Sequence, residues 1–138
     1  MAARQNLSKV IRNKMIKWVY LFLGGGVGTI ARYVFSGCVY QWLGPRFPFG
    51  TLAVNLLGCF LIGFFAVLTE EKFLLPPEFR VLVFAGFLGG FTTFSTFIFE
   101  TANFVRDGEG LLALGNVLLS VCVGFGMFRL GVLLAEVI

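Results

Sequence analysis

The stretch Gly86-Phe-Leu-Gly-Gly-Phe-Thr-Thr-Phe-Ser-Thr-Phe97 lies inside a long apolar run, and its reading decides how the chain folds. Gly86, Gly89 and Gly90 weaken a helix, because glycine gives up most backbone entropy on ordering and shields the backbone least. Thr92, Thr93, Ser95 and Thr96 follow at once, with hydroxyls that offer the backbone bonds outside a regular helix. In hydrocarbon an interruption strands N–H and C=O groups, so it has to be enclosed by protein or line a wet cavity. The stretch is therefore either a closely packed helix kink or a site, and the flanking sequence has to decide between them.

The flanks are those of a membrane protein. Of 138 residues, 58% are hydrophobic and 13% charged, about half the charge of a soluble domain, and the mean hydropathy is +0.91. A helix needs about 20 apolar residues to cross a bilayer. Four runs qualify: residues 18–40, 49–69, 80–104 and 111–137. The expected fold is an all-α membrane protein with four transmembrane helices, the third broken mid-membrane. It divides into a basic tail, residues 1–17, and one four-helix transmembrane unit, residues 18–138.

Several classes of chemistry drop out. The chain has no histidine, which excludes bis-histidine haem, histidine metal sites and histidine proton relays. Cys38, Cys59 and Cys122 have no CxxC spacing and lie within spans, so they read as small packing residues. There are no paired carboxylates and no nucleophile with an evident base, which argues against an enzyme. The basic start followed by an apolar run mimics a signal peptide. The run is too long, Arg32 interrupts it and no A-x-A-like site follows, so a retained helix is expected.

The tail carries Arg4, Lys9, Arg12, Lys14 and Lys17 and no acid. It is either a short helix lying on anionic lipid or a topology signal. Lys72 and Arg80 fall on the tail's side of the membrane, against Arg46 and Arg106 on the other. That bias predicts cytoplasmic termini. The net charge of +4 needs no nucleic acid, since no soluble basic face exists to bind one.

Within the spans, polar and small residues recur at helical spacing. Gly24 and Gly28 form a pair that lets a neighbouring helix approach closely. Tyr40 and Trp42 sit at the expected interfacial aromatic belt. Thr51, Asn55, Cys59 and Gly63 recur every four residues on the second span, and Asn116, Ser120 and Gly124 do so on the fourth. Asn55 by itself is explained by an interhelical hydrogen bond. Arg32 is costly in the membrane unless it snorkels or pairs, and Glu100 is the acid available to it. Pro77 and Glu78 suit the first turn of a helix.

Taken together, Thr51, Asn55, the Thr92–Thr96 cluster, Asn116 and Ser120 are neutral and rich in donors. A cation pathway would use carboxylates or carbonyl rings, whereas neutral donors that replace a hydration shell suit a small anion. Phe94 and Phe97 are three apart on one helical face, and an aromatic ring is positive at its edge. Ring edges can face an anion without trapping it as an arginine would.

Three motifs carry a family resemblance: Gly-Gly-x-Gly-x-x-x-Arg-Tyr from Gly25 to Tyr33, Gly-Thr-Leu-x-Val-Asn from Gly50 to Asn55, and the whole of 86–97 with Glu100. Over nearly all the chain after residue 17 the sequence resembles the Fluc/CrcB fluoride channels. The resemblance implies a passive, fluoride-selective channel of the cell inner membrane, exporting fluoride that enters as hydrogen fluoride. It implies an antiparallel, dual-topology homodimer with two pores and a central structural sodium ion. By motif, Asn55 would donate to fluoride, and Phe94 and Phe97 would supply the aromatic edges. Thr51, Thr96 and Ser120 would lie along the pore, and sodium would be held by the backbone carbonyls of Gly89 and Thr92. Arg32, Glu100 and Asn116 would be structural. Two features depart from the pattern: some relatives carry tyrosine where Asn116 falls, and the basic tail favours one orientation over the balanced insertion an antiparallel homodimer needs. An oppositely inserted homologue as heterodimer partner would resolve the second.

Two rival readings stand beside the channel. A small dual-topology multidrug-type transporter wants a carboxylate in its first span, where this chain has Arg32 and no acid. A non-transporting membrane assembly subunit accounts for the glycines, but not for polar groups on three separate helices.

Overall fold

The computed structural model describes the backbone of residues 2–74 and 76–138, and the side chains of 15–74, 76 and 79–138. All of its regular structure is helical. Helix α1 (Ala2–Leu43) takes in the basic tail without interruption, so the tail's backbone continues the first span. The side chains of Arg4, Lys9, Arg12 and Lys14 lie outside the described residues, as do those of Pro77 and Glu78.

Helix α1 ends at Gly44, whose φ of +80° suits glycine and whose N–H returns to the Tyr40 carbonyl. Helix α2 (Phe49–Glu71) follows Pro48 and widens into a π-helical turn over Val67–Glu71. Helix α3 comprises Pro77–Arg80, a π-helical stretch Val81–Leu88 and Gly89–Phe91. Helix α4 (Phe94–Arg106) completes the third span. After Gly108, at φ +78°, helix α5 (Gly110–Val137) returns, with a π turn at Leu119–Val123. Among the described residues four helical stretches are long and apolar enough to cross a membrane: Met15–Leu43, Phe49–Glu71, Val81–Arg106 and Gly110–Val137. Their limits lie within a few residues of the apolar runs.

Packing rests on two seams of glycine. A Cβ on Gly28 would overlap the Phe87 carbonyl, and one on Gly90 would overlap the backbone of Gly25, so α1 and α3 touch main chain to main chain. A second seam joins α2 to α5: Gly63 lies on the Phe128 carbonyl and Gly131 on the Phe60 carbonyl. Beside it Val67, Val132 and Ala135 form a small core with Phe64, Leu68 and Phe128 packed on it. With no hydrophobic effect to drive helices together inside lipid, such close backbone contact is what holds them. The two seams leave the interruption between α3 and α4 enclosed by α1 on one side and α2 on the other.

Candidate functional site

The third span breaks at two residues. Thr92 (φ −82°, ψ 158°) and Thr93 (φ −149°, ψ 114°) are extended, between helix up to Phe91 and helix from Phe94. The glycines before them stay helical. The missing side chains of two of them serve the α1 seam, where Gly86 meets Gly24 and Gly90 meets Gly25.

The freed backbone groups find partners on neighbouring helices. Arg32 Nη1 donates to the Thr92 carbonyl at 3.2 Å. Asn55 Oδ1 accepts the Thr93 N–H at 2.8 Å, and Asn55 Nδ2 donates to the Thr93 carbonyl at 3.0 Å. Thr93 Oγ1 caps α4 by accepting the Thr96 N–H at 3.3 Å, and donates to Thr96 Oγ1 at 2.9 Å. Because the Thr93 N–H is given to Asn55, the Gly89 carbonyl lacks the donor that a continuous helix would bring it.

Two cavities flank the break. One of about 430 Å³ is lined by Asn55, Cys59, Gly89, Thr92, Thr93, Phe94, Phe97 and Ser120, with apolar walls from Ile62, Phe84, Leu88 and Val121. The rings of Phe94 and Phe97 are 5.6 Å apart, tilted by 43°. Phe97 is buried and Phe94 exposed. The Ser120 hydroxyl is buried without a hydrogen-bond partner. The other cavity, about 310 Å³, is lined by Thr29, Arg32, Tyr33, Ser36, Tyr40, Thr51, Val54, Thr93, Thr96 and Glu100. There Glu100 Oε1 accepts from Thr51 at 2.7 Å and from Tyr40 at 3.1 Å, while Oε2 is buried without a partner. Neutral donors and ring edges thus gather on one side of Thr93, and a polar chamber with one guanidinium and one carboxylate on the other.

The expected site residues divide accordingly. Asn55, Phe94, Phe97, Ser120, Gly89 and Thr92 share the larger cavity; Thr51, Thr96, Arg32 and Glu100 share the smaller. Asn116 lines neither. It is buried, and it donates to Thr101 Oγ1 at 2.8 Å, tying α5 to α4. The pairing of Arg32 with Glu100 is corrected: among the described residues they form no ion pair, since the break gives Arg32 a carbonyl and Glu100 takes two hydroxyls. Tyr40, read as an interfacial aromatic, also donates its hydroxyl to Glu100. The signal for it was a stripe on α1, Thr29, Arg32, Ser36 and Tyr40, at steps of three, four and four residues. Thr101 was missed too, and its place one residue after Glu100 was the available hint.

The chain matches the family described as CrcB-like protein, Camphor Resistance (CrcB), over residues 19–132. It is 44% identical over 122 residues to a protein of Desulforapulum autotrophicum named fluoride-specific ion channel FluC, covering 88% of this chain and 98% of that one. A protein of the same name from Citrifermentans bemidjiense is 46% identical over 122 residues, with the same coverage. Another, from Magnetococcus marinus, is 46% identical over 123 residues, covering 89% and 98%. With four spans and this likeness over nearly all of its length, the chain is a multi-pass membrane protein of the CrcB family.

Proposed function

We propose that the chain is a passive, fluoride-selective ion channel, and not an enzyme. Relatives of that printed name support the reading. The observation that carries it within this chain is the shared cavity of Asn55, Ser120, Phe94 and Phe97 beside the break. Fluoride holds its water tightly, so a path has to replace that shell with N–H, O–H and ring-edge contacts, each weak enough to release the ion. Asn55 has one amide proton left after bonding Thr93, and Ser120 has its whole hydroxyl. Thr96, which accepts from Thr93 and keeps its own proton, continues the donors beyond the break; Thr51 lines the same smaller cavity with its proton given to Glu100. Among the described residues the lining of the larger cavity carries no cation that would trap the ion.

The working unit in this reading is an antiparallel dimer in the cell inner membrane, exporting cytoplasmic fluoride. The exposed Phe94 ring then faces the other subunit. A structural sodium ion would be held by the carbonyls of Gly89 and Thr92. The Gly89 carbonyl, which lacks its helical donor, is a free hard oxygen for such a cation, whereas the Thr92 carbonyl already accepts from the Arg32 guanidinium.

The test is fluoride efflux from liposomes holding the purified chain, followed with an ion-selective electrode. Fluoride leaves without a proton or sodium gradient, and chloride scarcely passes. Asn55→Asp suppresses the flux by setting negative charge on an anion path. Absence of fluoride efflux from the native chain overturns the reading.

A further inference from the structure

Asn55 lines the larger cavity, yet most of its amide is committed to the main chain of one residue. Thr93 is extended, and its N–H and C=O both meet the Asn55 carboxamide, at 2.8 Å and 3.0 Å. This is the two-bond pairing that a strand neighbour would offer, supplied by a side chain. Only one orientation of the amide satisfies both bonds, with oxygen to N–H and nitrogen to carbonyl. The Thr93 hydroxyl cannot take over, because it is engaged with Thr96.

Thr93 also lines both cavities, and the next residue begins α4. Its direction sets where Phe94 and Phe97 stand. We propose that Asn55 is a positioning residue: it holds the extended Thr93 unit as the partition between the two cavities, and through it fixes the two rings. This rests on the anion-path reading and adds to Asn55 a task besides donating its free proton. The main chain at the wall the two cavities share is thereby placed among the determinants of selectivity.

The test removes the Thr93 N–H by replacing the Thr92–Thr93 peptide bond with an ester, in the native chain and in Asn55→Ala. The accompanying weakening of the Thr92 carbonyl as acceptor for Arg32 is common to both backgrounds and cancels in the comparison. The readout is the ratio of fluoride to chloride permeability in liposomes. The ester lowers the ratio about three- to tenfold in the native background and less than about twofold in Asn55→Ala, as expected for one shared hydrogen bond. Equal effects in both backgrounds overturn the proposal. Hydrogen exchange gives a second readout should the ester chain not assemble. The Thr93 amide exchanges at a helical rate in the native chain and at least about tenfold faster in Asn55→Ala; a rate independent of residue 55 overturns it. If Thr93 exchange depends on Asn55 but no variant passes fluoride, the positioning role stands and the fluoride reading falls.

Discussion

The Thr51 hydroxyl donates to Glu100 Oε1 at 2.7 Å, tying α2 to α4 across the wall of the smaller cavity. Tyr40 brings α1 to the same oxygen, so one carboxylate gathers three helices, while its other oxygen is buried without a partner. Thr51→Val keeps shape and removes the donor. It lowers stability by about 1–3 kcal/mol, the cost of leaving a buried acceptor short of a bond. Tyr40→Phe costs less, because that bond is longer. Thermal melts in detergent check the order, and a Thr51→Val protein as stable as the native one would show that the contact holds nothing.

The glycine seam between α1 and α3 makes a sharper pair. A Cβ on Gly28 meets the Phe87 carbonyl and cannot be relieved by moving a flexible side chain, whereas one on Gly26 meets nothing within 4 Å. Gly28→Ala therefore destabilises by about 1–3 kcal/mol through overpacking. Gly26→Ala, facing open space at a helical position, is neutral or mildly stabilising. Melting curves of the two variants decide the matter, and equal losses in both would remove the seam from the account.

Much of this was legible beforehand because apolar runs, glycine pairs and four-residue stripes are local patterns. The spans, the break and the common cavity of Asn55 and Ser120 follow from them. The position of the interruption did not. Gly86, Gly89 and Gly90 looked like its cause, but the missing side chains of Gly86 and Gly90 admit α1, and the chain leaves the helix only at Thr92 and Thr93. The partner of Arg32 was hidden for the same reason: it is a main-chain carbonyl that exists as a free acceptor only once the helix has broken. Asn116 and Ser120 share a stripe, yet a hydrogen bond to Thr101 turns Asn116 away from the cavity that Ser120 faces. A side chain's choice between two neighbours lies beyond what spacing can give.

Phe94 and Phe97 differ in burial, at 74% and 7% exposed, though both line the larger cavity. Phe97→Ile leaves a gap among packed groups and lowers monomer stability by about 1–2 kcal/mol. Phe94→Ile does not. Both slow fluoride efflux, since each removes a ring edge from the path. Flux and melting measured on the same preparations separate the two effects, and native flux in either variant removes that ring from the pore.

Ser120 allows stability and conduction to be pulled apart. Its hydroxyl is buried and bonds to nothing in the protein, while its neighbours across the cavity are Asn55 and the two rings. Ser120→Ala breaks no hydrogen bond within the protein among the described residues, so the variant melts at or above the native temperature. If the hydroxyl donates to the passing anion, the same change slows fluoride efflux by about tenfold, the value of one hydrogen bond to a charge. A variant that is both more stable and slower identifies a group kept for the ion. One that is destabilised with native flux assigns Ser120 to packing and takes it out of the conduction path.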